Sequence, residues 1–415
     1  MTRVRLPAVC LALAAGAAIS APSIAHAEPG DQMTISVLTF GPGDHPFFKF
    51  GHNAIWVHDG AMRGSRGDAV YNYGTFAFGP LLIPEFLKGK LNYWLSVQSL
   101  DSTVRGYRAE NRTIEAQELN LTREQKLELV RRLRENELPQ NRYYKDDYYR
   151  DNCSTRVRDM VDGIVNGRLH DVSRDPASMS WRQHTLRLVA DDIPIYLGLN
   201  IAMGDLIDSK VDVWGEMFLP AKLQETLRKA TVLDADGNEV PLVKSEKLLL
   251  DAEREPVRKS PPSWLPHMIA AGSAVGAAFA YLGKSAASAR WAQILFGLLL
   301  SFEGFLFGTL GSIFVMFWTL TDHQVAYKNE NILQCGPWAL ALVYFGFKIA
   351  RARLDVSERA FKIGASLAGA SVLGLLLKAL PWFDQQNGQI IGLILPIWLG
   401  TLAGLWMLRR TPATT

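Results

Sequence analysis

Residues 151–160 read DNCSTRVRDM and place Cys153 at the predicted start of a helix. Asp151 or Asn152 can cap this helix, because side-chain oxygens at that position accept hydrogen bonds from free backbone N–H groups. Apolar residues recur at helical spacing from Cys153 to Ile164, which predicts a face packed on a sheet. We therefore expect the thiol to lie inward at the positive end of the helix dipole, where its pKa is lowered and the reactive thiolate is favoured.

Four segments before this helix have the alternating or β-rich composition of strands: 31–40, 52–59, 69–76 and 112–121. Thr122 and Gln125 then form the capping-box pattern of a further helix. His52 opens the second strand behind a glycine-rich turn, so it is the best-placed imidazole to activate the Cys153 thiol. The alternative is a buried structural cysteine and an unrelated histidine.

The first thirty residues have a basic start, an apolar middle and the small-x-small triplet 25–27. This layout predicts a signal peptide, residues 1–27, in preference to an uncleaved anchor helix. Of the three cysteines, Cys10 would leave with the signal. A single thiol in an exported domain, here residues 28–258, is a candidate nucleophile. The formal net charge of +3 gives no electrostatic reason to expect nucleic acid as a partner.

The chain changes character after a proline-containing linker, residues 259–266, and residues 267–415 form the predicted membrane domain. Five apolar segments have nearly the length of about 20 residues that crosses a bilayer, namely 264–283, 291–319, 333–350, 362–380 and 389–408. Basic residues follow the first, third and fifth segments, and basic loops stay in the cytoplasm. We therefore predict a multi-pass inner-membrane protein whose exported domain and outer loop, residues 321–334, both face the periplasm.

Several separated motifs resemble the Lnb family of bacterial lipoprotein N-acyltransferases: LTFGPGDHPFFKFGHNAIWV (38–57), VYNYGTFAF (70–78), FLKGKLNYWLSV (86–97), YYKDDYYRDNCSTRVRD (143–159) and TDH…KNENIL (321–333). The resemblance covers nearly the whole mature chain. It implies an α+β, permuted papain-like (NlpC-like) exported domain, similar to the lecithin–retinol acyltransferase type, in which the histidine strand precedes the cysteine helix. An all-α membrane domain of five transmembrane helices follows.

The resemblance also implies acyl transfer without a metal or cofactor. Cys153 would attack an ester of a membrane phospholipid and form a thioester, while His52 takes the thiol proton. The acceptor would be the N-terminal amine of a diacylglyceryl-cysteine lipoprotein, although shuffling of an acyl chain within one lipoprotein stays open. Asn72 is the candidate to orient the imidazole, the alternative being a strand residue that faces solvent. Backbone N–H groups at the helix N-terminus could bind the oxyanion.

The outer loop carries a polar cluster at the membrane boundary, which consists of Asp322, His323, Asn329 and Asn331. Because the loop matches the family's second signature, we predict that it positions substrate, with His323 as the best candidate; the alternative is a solvated turn. Glu303 lies inside the second apolar segment. It has either a functional role or a structural one with a hydrogen-bonded partner, and the sequence does not decide between the two. We interpret Cys335 as a small apolar filler.

Two other functions stay open. A membrane-anchored cell-wall amidase or peptidase of the NlpC-like type would use the same Cys–His chemistry, although peptidoglycan cleavage does not require five spans and a polar outer loop. A non-catalytic membrane sensor would bind a ligand in its exported domain, and Cys153→Ser would leave it functional. The sequence does not indicate an oligomeric state.

Overall fold

The computed structural model describes residues 1–2, 28–62, 67–76, 80, 85, 88–89 and 92–410. The predicted signal peptide, apart from its first two residues, lies outside the described residues, and so does most of the 77–91 segment.

The N-terminal domain is an α+β structure built on a seven-stranded antiparallel sheet with the strand order β6-β4-β3-β2-β1-β5-β9, and β7 and β8 form a separate hairpin. The strands are β1 (Met33–Phe40), β2 (His52–Asp59), β3 (Asp68–Thr75), β4 (Asn92–Gln98), β5 (Ile114–Leu119), β6 (Tyr143–Lys145), β7 (Thr231–Leu233), β8 (Glu239–Pro241) and β9 (Val243–Leu250). The four segments predicted as strands are β1, β2, β3 and β5. The sheet extends beyond them through β4, β6 and β9, which the periodicity did not predict.

Eight described helices belong to this domain: α1 (Leu100–Ala109), α2 (Arg123–Glu137), α3 (Cys153–Ile164), α4 (Arg168–Asp171), α5 (Trp181–Leu188), α6 (Ile193–Ala202), α7 (Val213–Glu216) and α8 (Pro220–Leu227). The predicted capping box of Thr122 and Gln125 opens α2. Helix α3 packs its apolar face, including the fully buried Val157, on the sheet and against α2. A second apolar layer on the opposite face of the sheet is covered by α1.

The C-terminal region is helical and has five helices long and apolar enough to cross a membrane. Its α-helical parts are α9 (Leu265–Ser285), α10 (Arg290–Leu320), α11 (Ala341–Ala350), α12 (Ser357–Leu377) and α13 (Gly388–Arg409). The third candidate span, Glu330–Ala350, begins with 3-10 turns before α11. Helices α9 and α13 approach so closely that a β-carbon on Gly400 would overlap the backbone of Gly276. Small residues permit this packing where no hydrophobic effect drives helices together.

A buried ion pair holds together the part of the N-terminal domain that faces the outer loop. The guanidinium of Arg182 donates to the carboxylate of Asp208 at 2.8 Å, and both side chains are almost fully buried. Its remaining N–H groups donate to the backbone carbonyls of Asn200, Met203 and Gly204. The charge is therefore fully compensated, and the end of α6 is fixed in position.

Candidate active site

Cys153 is the first residue of α3, as the capping pattern predicted. Asn152 is the cap: its side-chain oxygen accepts hydrogen bonds from the backbone N–H groups of Ser154 (2.9 Å) and Thr155 (3.0 Å). Ser154 is itself fully buried, and its hydroxyl donates to the carbonyl of Met217 at 2.7 Å. The cysteine is therefore held rigidly at the start of the helix while remaining partly accessible.

Gly74 on β3 brings the thiol and the imidazole together. A β-carbon placed on Gly74 would lie 3.3 Å from Cβ of Cys153 and 4.0 Å from Cε1 of His52. The glycine has a φ of +85°, which favours a residue without a side chain. The register of β3 and β4 also shifts between Asn72 and Thr75, next to this point. The missing side chain therefore lets β3 run close past Cys153 and His52.

Asn72 is buried and hydrogen-bonded to the side chain of His52. Its amide nitrogen donates to the backbone carbonyl of Val70 at 3.2 Å. The amide oxygen is thus left to accept the imidazole N–H, an arrangement that sets the ring's orientation and tautomer. The position rules out a strand residue that faces solvent, while a catalytic role for Asn72 stays a prediction.

The pKa of the Cys153 thiol differs from the expectation. Burial raises this pKa to about 12, although hydrogen bonds from the backbone N–H groups of Asn53, Ser154 and Cys153 itself favour the thiolate. The nearby carboxylate of Asp146 contributes to this increase. The expected lowering by the helix terminus is therefore wrong, because the loss of water around the sulfur outweighs the backbone donors.

The imidazole of His52 is held in its neutral form. Burial lowers the pKa of His52 to about 4, the Arg112 guanidinium lowers it as well, and the hydrogen bond with Asn72 acts in the opposite direction. A neutral imidazole beside a neutral thiol can act as a general base at the moment of attack. The arrangement thus differs from a resting thiolate–imidazolium pair.

A pocket lies between the N-terminal domain and the outer loop. Its lining includes Tyr93, Asp146 and Tyr148 from the domain and Asp322 and His323 from the loop. His323 is buried, and its ring stacks parallel on Tyr148 with centroids 6.3 Å apart. Asp146 lies close enough to Cys153 for its charge to add to the effect of burial on the thiol pKa. The tertiary structure therefore brings the loop histidine to the same pocket as Asp146, a residue whose charge acts on the candidate nucleophile.

Asn329 and Asn331 have a different position from His323. Both are fully buried, and their side-chain amides donate to the backbone carbonyl of Ile201 at 2.8 Å and 3.0 Å. The backbone N–H of Gly204 also donates to the carbonyl of Val325 at 2.8 Å. These bonds attach the outer loop to the end of α6. The two asparagines brace the loop and are not among the residues that line the pocket.

Two other residues singled out from the sequence lie in the helical region. The carboxylate of Glu303 is buried and accepts a hydrogen bond from the Thr401 hydroxyl at 3.0 Å, so it is partnered. Cys335 is fully buried in the helical core. Among the described residues, no group of histidine, cysteine and acidic side chains is arranged to hold a metal ion.

The sequence reasoning missed four residues of the site: Asn53, Gly74, Tyr144 and Asp146. A glycine inside a strand pattern can mark a bulge or a close approach of two segments, so Gly74 had a signal. Tyr144 and Asp146 directly precede the cysteine motif in YYKDD. Asn53 acts through its backbone N–H, which no sequence motif reveals.

Residues 23–191 match the family described as the Lnb N-terminal periplasmic domain. The matched range includes His52, Asn72 and Cys153 and ends before the outer loop. No curated protein and no solved structure matches the chain. The match supports the family named from the motifs, so that prediction is confirmed. A periplasmic domain followed by five candidate transmembrane helices fits a multi-pass inner-membrane protein.

Proposed function

We propose that this chain, whose N-terminal domain belongs to the Lnb family, is a lipoprotein N-acyltransferase. It takes an acyl chain from a membrane phospholipid, holds it as a thioester on Cys153, and transfers it to the N-terminal amine of a diacylglyceryl-cysteine lipoprotein. The observation that carries the proposal is the convergence of Cys153 and His52 at Gly74. A pocket that the outer loop completes supports it, because that pocket is lined by Asp146, whose charge acts on the thiol.

In the first half-reaction, His52 accepts the proton of the Cys153 thiol as the sulfur attacks the ester carbonyl. The carbonyl electron pair moves onto oxygen, and the tetrahedral intermediate collapses with cleavage of the ester C–O bond. The imidazolium returns its proton to the departing alkoxide, which leaves as a lysophospholipid. A neutral thiol–imidazole pair suits this sequence, because the base is unprotonated before attack.

In the second half-reaction, the deprotonated amine of the acceptor attacks the thioester carbonyl. His52 takes the proton that the nitrogen loses and passes it to the departing sulfur, so the thiol is regenerated and an amide is formed. A thioester suits this step, because an amine attacks it more readily than it attacks an oxygen ester. The acyl-enzyme also separates the two lipid substrates in time.

The outer loop gives the site a route to both lipids. Asp322 is exposed and His323 is buried at the same pocket, while Asn329 and Asn331 hold the loop on the N-terminal domain. We assign substrate positioning to His323 and Asp322. The polar loop at the end of α10 supports this assignment, because lipid esters lie at the membrane–water boundary.

The same proposal includes the fold type and the domain limits. The N-terminal domain is assigned to the permuted papain-like class, which the order of the histidine strand before the cysteine helix supports. Residues 1–27 are a signal peptide, 28–258 the periplasmic domain, 259–266 the linker and 267–415 the transmembrane domain.

Mass spectrometry of lipoprotein N-termini tests the function in cells with and without the gene. We expect triacylated N-termini to disappear without the gene and to return with the wild-type chain but not with Cys153→Ala. Unchanged N-termini together with altered peptidoglycan fragments would instead support a cell-wall amidase. Full function of Cys153→Ser would support a sensor.

The purified full-length protein in detergent tests the intermediate. Incubation with a phospholipid should attach one acyl chain to Cys153 through a bond that hydroxylamine cleaves. Cys335→Ala is the matched control, because that thiol is buried in the helical core and should not affect the labelling. Acyl trapping that persists in Cys153→Ala would show that the nucleophile is another residue.

A further inference from the structure

The hydroxyl of Tyr144 is buried and has no hydrogen-bond partner among the described residues. It lies 3.8 Å from the position of a β-carbon on Gly74, the same point that is 3.3 Å from Cβ of Cys153. A buried hydroxyl without a partner costs free energy, so such groups are rare in folded proteins. The Tyr144 hydroxyl can therefore donate a hydrogen bond to an oxygen of the substrate when the substrate binds at Cys153.

The ring of Tyr144 is held firmly in this orientation. Its strand, β6, is an edge strand of the sheet and pairs with β4, with Tyr144 opposite Tyr93. The guanidinium of Arg156 lies 3.6 Å from the centre of the Tyr144 ring, and the ring of Tyr73 packs edge-on against it. The hydroxyl is therefore preorganised, which is the property that an oxyanion donor needs.

Two of the backbone donors at the helix N-terminus are already occupied in this site. The backbone N–H groups of Ser154 and Thr155 are hydrogen-bonded to the side chain of Asn152. These two groups are therefore taken, and binding of the oxyanion by this helix end stays a prediction for the N–H of Cys153 itself. The attack of Cys153 on an ester develops a full negative charge on oxygen, so a donor in addition to the Cys153 N–H would stabilise it.

We propose that the Tyr144 hydroxyl donates a hydrogen bond to the oxyanion of the tetrahedral intermediates formed on Cys153. The inference rests on the proposed function and applies to both half-reactions. As the sulfur–carbon bond forms, the carbonyl electron pair moves onto the oxygen that Tyr144 binds; as the leaving group departs, the pair returns. The tyrosine keeps its proton throughout, and burial favours the protonated phenol by raising its pKa.

Tyr144→Phe in the full-length protein tests this role, with a p-nitrophenyl acyl ester as the probe. Release of p-nitrophenolate follows acylation of Cys153 without any lipoprotein acceptor. We expect acylation to slow by about 100- to 1,000-fold, the cost of removing one oxyanion donor. The melting temperature should stay the same or rise, because the lost hydroxyl bonds to no described residue.

Tyr73→Phe is the matched control. The hydroxyl of Tyr73 accepts a hydrogen bond from Asn136 at 2.8 Å, so its removal should lower the melting temperature and leave acylation close to the wild-type rate. Alkylation of Cys153 by iodoacetamide, which forms no oxyanion, should proceed at the wild-type rate in Tyr144→Phe.

The outcomes separate the two proposals. If the wild-type protein forms no acyl-enzyme with phospholipid or with the ester, the proposed function fails. If it does, and Tyr144→Phe is acylated at the same rate, only the role of Tyr144 fails. Slow acylation accompanied by a lower melting temperature and altered alkylation would also overturn the inference, because the tyrosine would then be structural.

Discussion

The imidazole of His52 and the side-chain amide of Asn72 are hydrogen-bonded across the neighbouring strands β2 and β3. The bond joins two residues twenty positions apart and sets the orientation of the imidazole that lies beside Gly74, next to Cys153. It therefore links the geometry of the sheet directly to the proposed base.

Asn72→Ala should slow acylation of Cys153, because the imidazole loses the group that orients it. The bond with Asn72 raises the pKa of His52, so its removal should move the acid limb of the pH–rate profile to lower pH. The profile is measured with the p-nitrophenyl ester. Asn136→Ala, whose side chain bonds Tyr73, is the control, and an unchanged rate and acid limb in Asn72→Ala would count against the assignment.

Asp146→Asn should make the Cys153 thiol more acidic. The carboxylate of Asp146 raises the thiol pKa, and it is ionised at alkaline pH because its own pKa is raised by burial only to about 7. Removing the charge lowers the thiol pKa, so alkylation by iodoacetamide at alkaline pH should become faster. The more distant Asp159→Asn should have no effect; equal alkylation–pH curves for wild type and Asp146→Asn would show that the two groups are uncoupled.

Gly74→Ala should abolish acyl transfer, because its methyl group would occupy the gap between Cys153 and His52. The positive φ adds backbone strain of about 1 kcal/mol or more. Gly237→Ala separates the two effects, since Gly237 has a similar φ of +81° with nothing within 4 Å of its β-carbon position. Both variants should lose stability in thermal unfolding, and only Gly74→Ala should lose activity.

His323→Ala should reduce lipoprotein modification by at least about tenfold, because misplaced substrates cost rate steeply. Acylation of Cys153 by the small p-nitrophenyl ester should change much less, since that probe does not need the outer loop. His267→Ala is the control, because this exposed histidine lies at the start of α9 and outside the pocket. Normal lipoprotein N-termini with His323→Ala would make the loop purely structural.

A residue of the site could be predicted from the sequence only where its own segment contains the pattern that identifies it. The cysteine at the capped start of α3 and the histidine at the start of β2 are both readable from local patterns. Gly74 and Tyr144 become part of the site only because a bulge in β3 and the pairing of β6 with β4 bring them to the thiol. Neither the bulge nor the strand pairing can be deduced from the hydrophobic periodicity of a single segment.

The sequence by itself determined the strands at the centre of the sheet, the helix cap at Asn152, the five apolar spans and the family, because each is encoded in local periodicity, composition or contiguous motifs. Only the tertiary structure decided the charge state of the Cys153–His52 pair, the position of the Tyr144 hydroxyl without a partner among the described residues, and the place of His323 in the same pocket as Asp146. The reason is that desolvation and contact depend on atoms contributed by distant segments, and for Cys153 burial outweighs the helix terminus that the local sequence predicts.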